Sequence, residues 1–139
     1  MALRDIRIES GDPSGDGDLI DGARSACPWL RESQQPATWL RALHRDTPVG
    51  VFGWCEDEFV ASVGPVYVRP DRRRFGVAGV LLDCALSKMR ARGIRQIDAR
   101  YVAEDAAAER LFSSRGFRAL GEEKCDAILV TRVEKTIKS

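Results

Sequence analysis

Histidine is nearly missing from this chain, with His44 the only one in 139 residues. That scarcity removes the usual zinc ligand set and leaves no His–Asp pair to activate a serine or cysteine. No G-x-S-x-G elbow occurs either. Cys27, Cys55, Cys84 and Cys125 are scattered and form no C-x-x-C pair. Neither a metal site nor a disulfide framework is therefore expected, and the thiols read as buried or half-buried. No apolar run approaches the roughly 18 residues that cross a bilayer. The first stretch carries Asp, Glu, Arg and Gly where a signal peptide is apolar, so a cytoplasmic protein with no membrane partner is expected.

An excess of charge of one sign is also lacking. Basic residues number 22 and acidic residues 21, for a formal charge of +1, so no overall field attracts nucleic acid and no nucleic-acid partner is expected. What remains is the composition of an ordinary globular protein, 44% hydrophobic and 31% charged, at a length that suits one domain over residues 1–139.

Residues Leu3 to Ile8 alternate imperfectly and predict a first strand. Ser10 to Gly17 is turn chemistry, after which Asp18 or a neighbour caps a short helix toward Cys27, ended by Pro28. After a break at Gln34 to Pro36, Trp39 to His44 and Val49 to Cys55 read as strands joined by a turn at Arg45 to Pro48. Glu56, Asp57 and Glu58 form the next turn. Phe59 to Val68 is a β segment interrupted by Gly64 and Pro65, where proline cannot donate to a ladder and a bulge is expected. From Val77 to Arg92 the period becomes helical, with Ala78, Leu82, Ala85, Leu86 and Met89 on one face and Gly93 at the end. Ile94 to Val102 then predicts a strand, Asp105 to Arg115 a helix closed by Gly116, and Ala127 to Val133 a last strand. The fold class is α/β (α+β), a mixed sheet of about six or seven strands with helices on its faces.

The segment Val68-Arg69-Pro70-Asp71-Arg72-Arg73-Arg74-Phe75-Gly76-Val77-Ala78-Gly79 joins the interrupted strand to the long helix. Its glycines permit close backbone approach, and the free amides at the helix start, with the macrodipole, favour an anion. Four arginines against one aspartate strengthen that reading, because guanidinium groups pair with phosphate in forked geometry. A tight packing turn with solvated arginines would use the same glycines.

These residues resemble the GNAT superfamily of acyl-coenzyme A N-acyltransferases, whose signature is R/Q-x-x-G-x-G/A after a V-x-P strand end. Here Val68-Arg69-Pro70 precedes Arg73-Arg74-Phe75-Gly76-Val77-Ala78 and a helix with Leu81 and Leu82. The family's helix ending in Gly-Phe is met by Ala108, Leu111, Phe112, Gly116 and Phe117. The resemblance implies a GNAT-like sheet with a splayed, bulged strand, and acetyl-coenzyme A as co-substrate without a metal. It further implies that amides from Arg73 or Arg74 through Phe75, Gly76, Val77, Ala78 and Gly79 hold the pyrophosphate, while the edge at Val66, Tyr67 and Val68 pairs with the pantetheine arm. An N–H near Val66 or Tyr67 would stabilise the developing oxyanion.

Two positions depart from the family. Its usual tyrosine acid is Phe112 here, and its frequent asparagine is Asp105. Both fall among the implied cofactor contacts, although Asp105 also reads as a helix cap. Without the phenol, the thiolate leaves unaided, Tyr67 or Tyr101 substitutes, or the protein binds the cofactor without turnover. For a base, Glu56 and Glu58 flank the strand expected to carry the thioester, with a solvated hairpin tip as the bland alternative. Asp98 and Glu104 are weaker candidates, and His44 reads as structural.

In the first loop Asp12, Ser14, Asp16, Gly17 and Leu19 mimic a calcium loop, but Ala23 stands where the bidentate glutamate belongs. Asp12, Asp16, Asp18 and Asp21 together would instead attract a cationic amine or a lysine-bearing peptide. The acceptor is thus expected to be a small-molecule amine or a peptide. Because the family often dimerises, a homodimer is also among the expected assemblies.

Overall fold

The computed structural model describes residues 2–11, 15–27, 29 and 36–138. Its elements run β1 (Ile6–Ser10), α1 (Gly17–Ala26), β2 (Thr38–His44), β3 (Thr47–Asp57), β4 (Val60–Val68), α2 (Val77–Ala91), β5 (Gln96–Val102), α3 (Ala106–Ser113), β6 (Arg118–Cys125) and β7 (Ile128–Thr136). The seven strands form one sheet in the order β1-β2-β3-β4-β5-β7-β6. Every neighbouring pair is antiparallel except β4 and β5.

Local chemistry explains the hairpins. Arg45 and Asp46 take φ of 52° and 83°, so the β2–β3 turn is a two-residue turn with positive φ at both central positions, matching the twist of its strands. Alternation along β3 and β4 then sends side chains to opposite faces. Val51, Trp39 and Tyr67 meet Leu19 and Ala23 of α1 on one face. Leu40, Phe52, Val66 and Val68 meet Leu81, Leu82 and Ala85 of α2 on the other. The larger core lies on the α2 side, where Phe52 and the fully buried Trp54 pack edge to face at 5.9 Å.

The α3 helix docks on the same side as α2 through Phe112, which is stacked on Tyr101 at 5.9 Å and packed edge-on against Phe117 at 5.1 Å. Helices on both faces and a mixed seven-stranded sheet agree with the sequence expectation.

Several boundaries differ. Leu3–Asp5 form a 3-10 turn, so the first strand starts at Ile6. Thr47 and Pro48 belong to β3, and so do Glu56 and Asp57, leaving the β3–β4 turn to Glu58 and Phe59. β6 was not foreseen from periodicity. As an edge strand it is largely exposed on both faces, so no apolar alternation marks it. Pro28, Gln34 and Gln35 lie outside the described residues.

The C-terminal end of α2 is fixed to the sheet by a charged contact. Glu56 accepts hydrogen bonds of 2.9 Å from the Trp54 indole and from Arg92 just past α2. Burial pushes the Glu56 carboxyl up, but the Trp54 bond and then the Arg92 bond and charge outweigh it, leaving the group below its ordinary value of 4.5. The unfolded chain therefore takes up this proton before the folded one does as pH falls, and the contact stabilises the fold only above that range. Glu56→Gln should lower the melting temperature by an amount that is constant at neutral pH and shrinks as pH drops below about 4.5. Melts of both chains across that range check it, and a pH-independent gap would assign the loss elsewhere. Separately, Phe112→Ala should cost about 3–5 kcal/mol, the range for emptying a buried aromatic site, read by urea denaturation.

Candidate functional site

β4 is paired with β5 only through Val60, Ala61 and Ser62, opposite Gln96, Ile97 and Asp98. Past Ser62 the strands separate. Gly64 takes φ +144° and Pro65 has no N–H to offer, while the β3–β4 register shifts between Phe52 and Trp54 at the same level. The expected bulge is therefore present.

Register fixes which backbone groups face the gap. Arg69 N–H donates to Val49 O at 2.8 Å, so the alternation of an antiparallel ladder turns Tyr67 toward β3 and turns the N–H and C=O of Val66 and Val68 away from it. The Val68 carbonyl accepts a 2.9 Å hydrogen bond from Arg73 Nε. Of the two candidate oxyanion donors, Val66 N–H is the one directed into the opening.

The strand then passes through a 3-10 turn at Pro70–Arg72 into α2. Arg74 and Gly76 take φ of 69° and 86°, and Gly76 sits at the N-cap with no side-chain cap and no acid in the first turn. The other two helices are built differently. Asp16 caps α1 by accepting from Leu19 N–H at 3.3 Å, and Asp105 caps α3 by accepting from Ala108 N–H at 3.0 Å. The α2 terminus thus keeps uncapped donors at the mouth of the gap, which is what an anionic group requires. Arg74 and Phe75 are exposed beside it, and Val77 is buried beneath.

Arg115 also borders this terminus and was not among the expected site residues. Its Nε and one terminal nitrogen reach Asp83 at 3.0 and 3.4 Å, and another terminal nitrogen reaches Ser114 Oγ at 2.8 Å. A Cβ added to Gly79 would lie 2.5 Å from Arg115 Nη2, so glycine at 79 leaves room for that guanidinium. The bare glycine after the signature was the only trace of it in the sequence.

On the α1 face, an open cavity of about 490 Å³ is lined by Asp18, Asp21, Gly22, Ser25, Tyr67 and Arg73. Gly22 lets the Tyr67 ring lie against α1, since a Cβ there would come within 2.2 Å of Cζ. Arg73 lies 5.4 Å from the centroid of the same ring. Of the first-loop acids, Asp18 and Asp21 line this cavity together. Asp16 is consumed as a helix cap and as a partner of Arg69 at 3.0 Å, Asp18 reaches Arg69 at 3.5 Å, and Asp12 and Ser14 lie outside the described residues.

The remaining candidates are dispersed. Glu56 and Glu58 stand at the end where β4 and β5 are still paired; Ala61, opposite Glu56, is five residues from Val66, about 16 Å of strand. Asp98 accepts from Gln96 at that same end. His44 ends β2 opposite Thr47, and Glu104 is exposed in the turn before α3. Phe112 is 3% exposed and offers no proton. Tyr101 is pushed above its ordinary value by burial and the charge of Glu109, against a bond to Thr131, and stays a neutral phenol. Among the described residues no group of three His, Cys, Asp or Glu side chains could hold a metal, and no helix is long and apolar enough to cross a membrane.

Comparison with known proteins agrees with this geometry. The model of the acetyltransferase (GNAT) family matches residues 3–117. A mycothiol acetyltransferase from Clavibacter michiganensis is 35% identical over 103 residues, covering 73% of this chain and 32% of that protein, so the chain spans about a third of its length. An acetyltransferase of Bacillus subtilis solved in complex with CoA superposes with a TM-score of 0.78 at 16% identity, over 96% of this chain and 99% of the other. A GNAT acetyltransferase of Elizabethkingia anophelis with acetyl-CoA bound gives 0.78 at 14% identity over the same shares. The splayed strand, the uncapped helix and the family match over most of its length converge: the chain belongs to the acetyltransferase (GNAT) family.

Proposed function

We propose that the protein transfers an acetyl group from acetyl-coenzyme A to a primary amine by direct attack within a ternary complex. The observation that carries this is the uncapped start of α2, with left-handed Gly76, opening onto the unpaired edge of β4. In this reading amides from Arg74 to Gly79 receive the pyrophosphate. The N–H and C=O of Val66 and the N–H of Val68 pair with the pantetheine arm, the ladder that β5 abandons, while the Val68 carbonyl stays with Arg73. Both named neighbours with CoA or acetyl-CoA share the fold, which supports the co-substrate.

The acceptor enters from the α1 face through the cavity beside Tyr67. Attack forms the C–N bond and breaks the C–S bond; the amine loses a proton and the sulfur leaves as thiolate or thiol. Val66 N–H stabilises charge developing on the carbonyl oxygen. Among Glu56, Glu58 and Tyr67, only Tyr67 lines the acceptor cavity, so it is the proposed participant in proton handling. Phe112 and Asp105 contribute shape and a helix cap.

A second reading, an acyl-coenzyme A binding or sensing domain without turnover, is favoured by Phe112, whose buried ring replaces the family's phenol. Thiol release with a panel of amines, beside calorimetry with coenzyme A, separates the two. Acceptor-dependent release is expected; tight binding without it would favour the silent domain. Gly76→Asp should abolish coenzyme A binding, because it places a carboxylate at the phosphate position and an L-residue at φ 86°. Retained affinity in a folded variant would overturn the placement of the turn.

A further inference from the structure

The arginines between Arg69 and Arg74 do not serve one purpose. Arg69 is neutralised by Asp16 and Asp18, and Arg72 by Asp71 at 2.8 Å. Arg74, with φ 69°, is exposed just before the helix entry. Arg73 turns its side chain into the cavity on the α1 face. Its Nε is held by the Val68 carbonyl and its guanidinium lies over the Tyr67 ring, so the group is oriented before any ligand arrives. Among the described residues no ion pair occupies its terminal nitrogens.

The same cavity carries the opposite charge on α1. Asp21 lines it and makes no ion pair among the described residues, while Asp18 has only the long contact to Arg69. A purely cationic acceptor would satisfy the aspartates but bring its charge toward an unneutralised arginine. A molecule with an ammonium and an anionic group satisfies both, and the planar fork of arginine matches a carboxylate. We propose that the acceptor is an amine that also bears a carboxylate, an amino acid or a molecule ending like one, with Arg73 reading the carboxylate and Asp21 the ammonium. This rests on the acyltransferase reading and replaces a lysine-bearing peptide surface as the expected acceptor class.

The test compares thiol release for matched amines with and without the carboxylate: lysine against cadaverine, phenylalanine against phenethylamine, tyrosine against tyramine. In the native chain kcat/KM should favour the carboxylate-bearing member by roughly tenfold or more, the scale of one charge-assisted pair. Arg73→Gln should bring that ratio close to one through KM, and Arg73→Lys should restore part of it. Asp21→Asn should raise KM for both members and leave the ratio unchanged, which supplies an independent arm if Arg73→Gln does not fold. Parity in the native chain, or a preference for the decarboxylated amines, would overturn the proposal. So would an Arg73→Gln chain whose coenzyme A affinity falls while the ratio stays, because Arg73 would then read the cofactor's phosphates. Coenzyme A binding with no thiol release from any amine would instead overturn the acyltransferase reading, and this inference with it.

Discussion

The site depends on backbone groups of β4 that β5 does not satisfy. A parallel pair that opens after Ala61 and Ser62 leaves the N–H and C=O of Val66 and the N–H of Val68 facing a gap, the Val68 carbonyl being held by Arg73, and each open group carries a cost of about 1–3 kcal/mol if it is buried without a partner. The chain cannot close the gap itself: Pro65 has no donor, and Gly64 at φ +144° turns the strand away from a regular ladder. Water or an extended ligand must complete the sheet. α1 covers β4 on one face and α2 covers it on the other, while α3 packs on β5 across the gap.

Electrostatics then sorts the ligand's parts. Two helices place aspartates at their starts and so satisfy their own dipoles, while α2 leaves its start bare at the mouth of the gap. The difference lies in single residues, Asp16 and Asp105 against Gly76, and it decides which terminus is left to receive an anion. Arg69 and Arg72 are held by local acids, so the positive charge left without an ion pair among the described residues sits on Arg73, which lines the α1-face cavity, and on the exposed Arg74. Net charge near zero is compatible with strong local selectivity for this reason.

Much of this was legible in the sequence because it is encoded locally. The Gly76 turn, the helical period after it and the broken strand at Gly64-Pro65 each leave a mark within a few residues. What was not legible depends on register or on distant contact. β6 has little burial on either face and so no periodicity. The side on which Arg73 falls follows from the Val68 carbonyl and the Tyr67 ring, neither of which its neighbours reveal. Glu56 looked close to the thioester because it is close in sequence to β4, yet it meets the closed end of that strand and is bound by Arg92. Arg115 left only a missing side chain at Gly79.

Phe112 is the sharpest departure from the family's chemistry, and its weight can be judged from magnitudes. A positioned general acid contributes about 10²–10⁴-fold, or roughly 3–5 kcal/mol. Holding two reactants in line contributes up to about 7–11 kcal/mol, and a single oxyanion donor about 2.7–4 kcal/mol. The leaving sulfur also needs less help than an alkoxide, since an ordinary thiol titrates near 8.5. Phe112 keeps the packing role of an aromatic ring between Tyr101 and Phe117 and forfeits only the smallest or middle of these contributions. In the proposed transfer the largest one, positioning, falls to the open edge of β4 and the cavity beside Tyr67, and one of similar size to the acid falls to Val66 N–H. For the proposed transfer, loss of the phenol therefore weighs on the rate more than on whether such a site could support it.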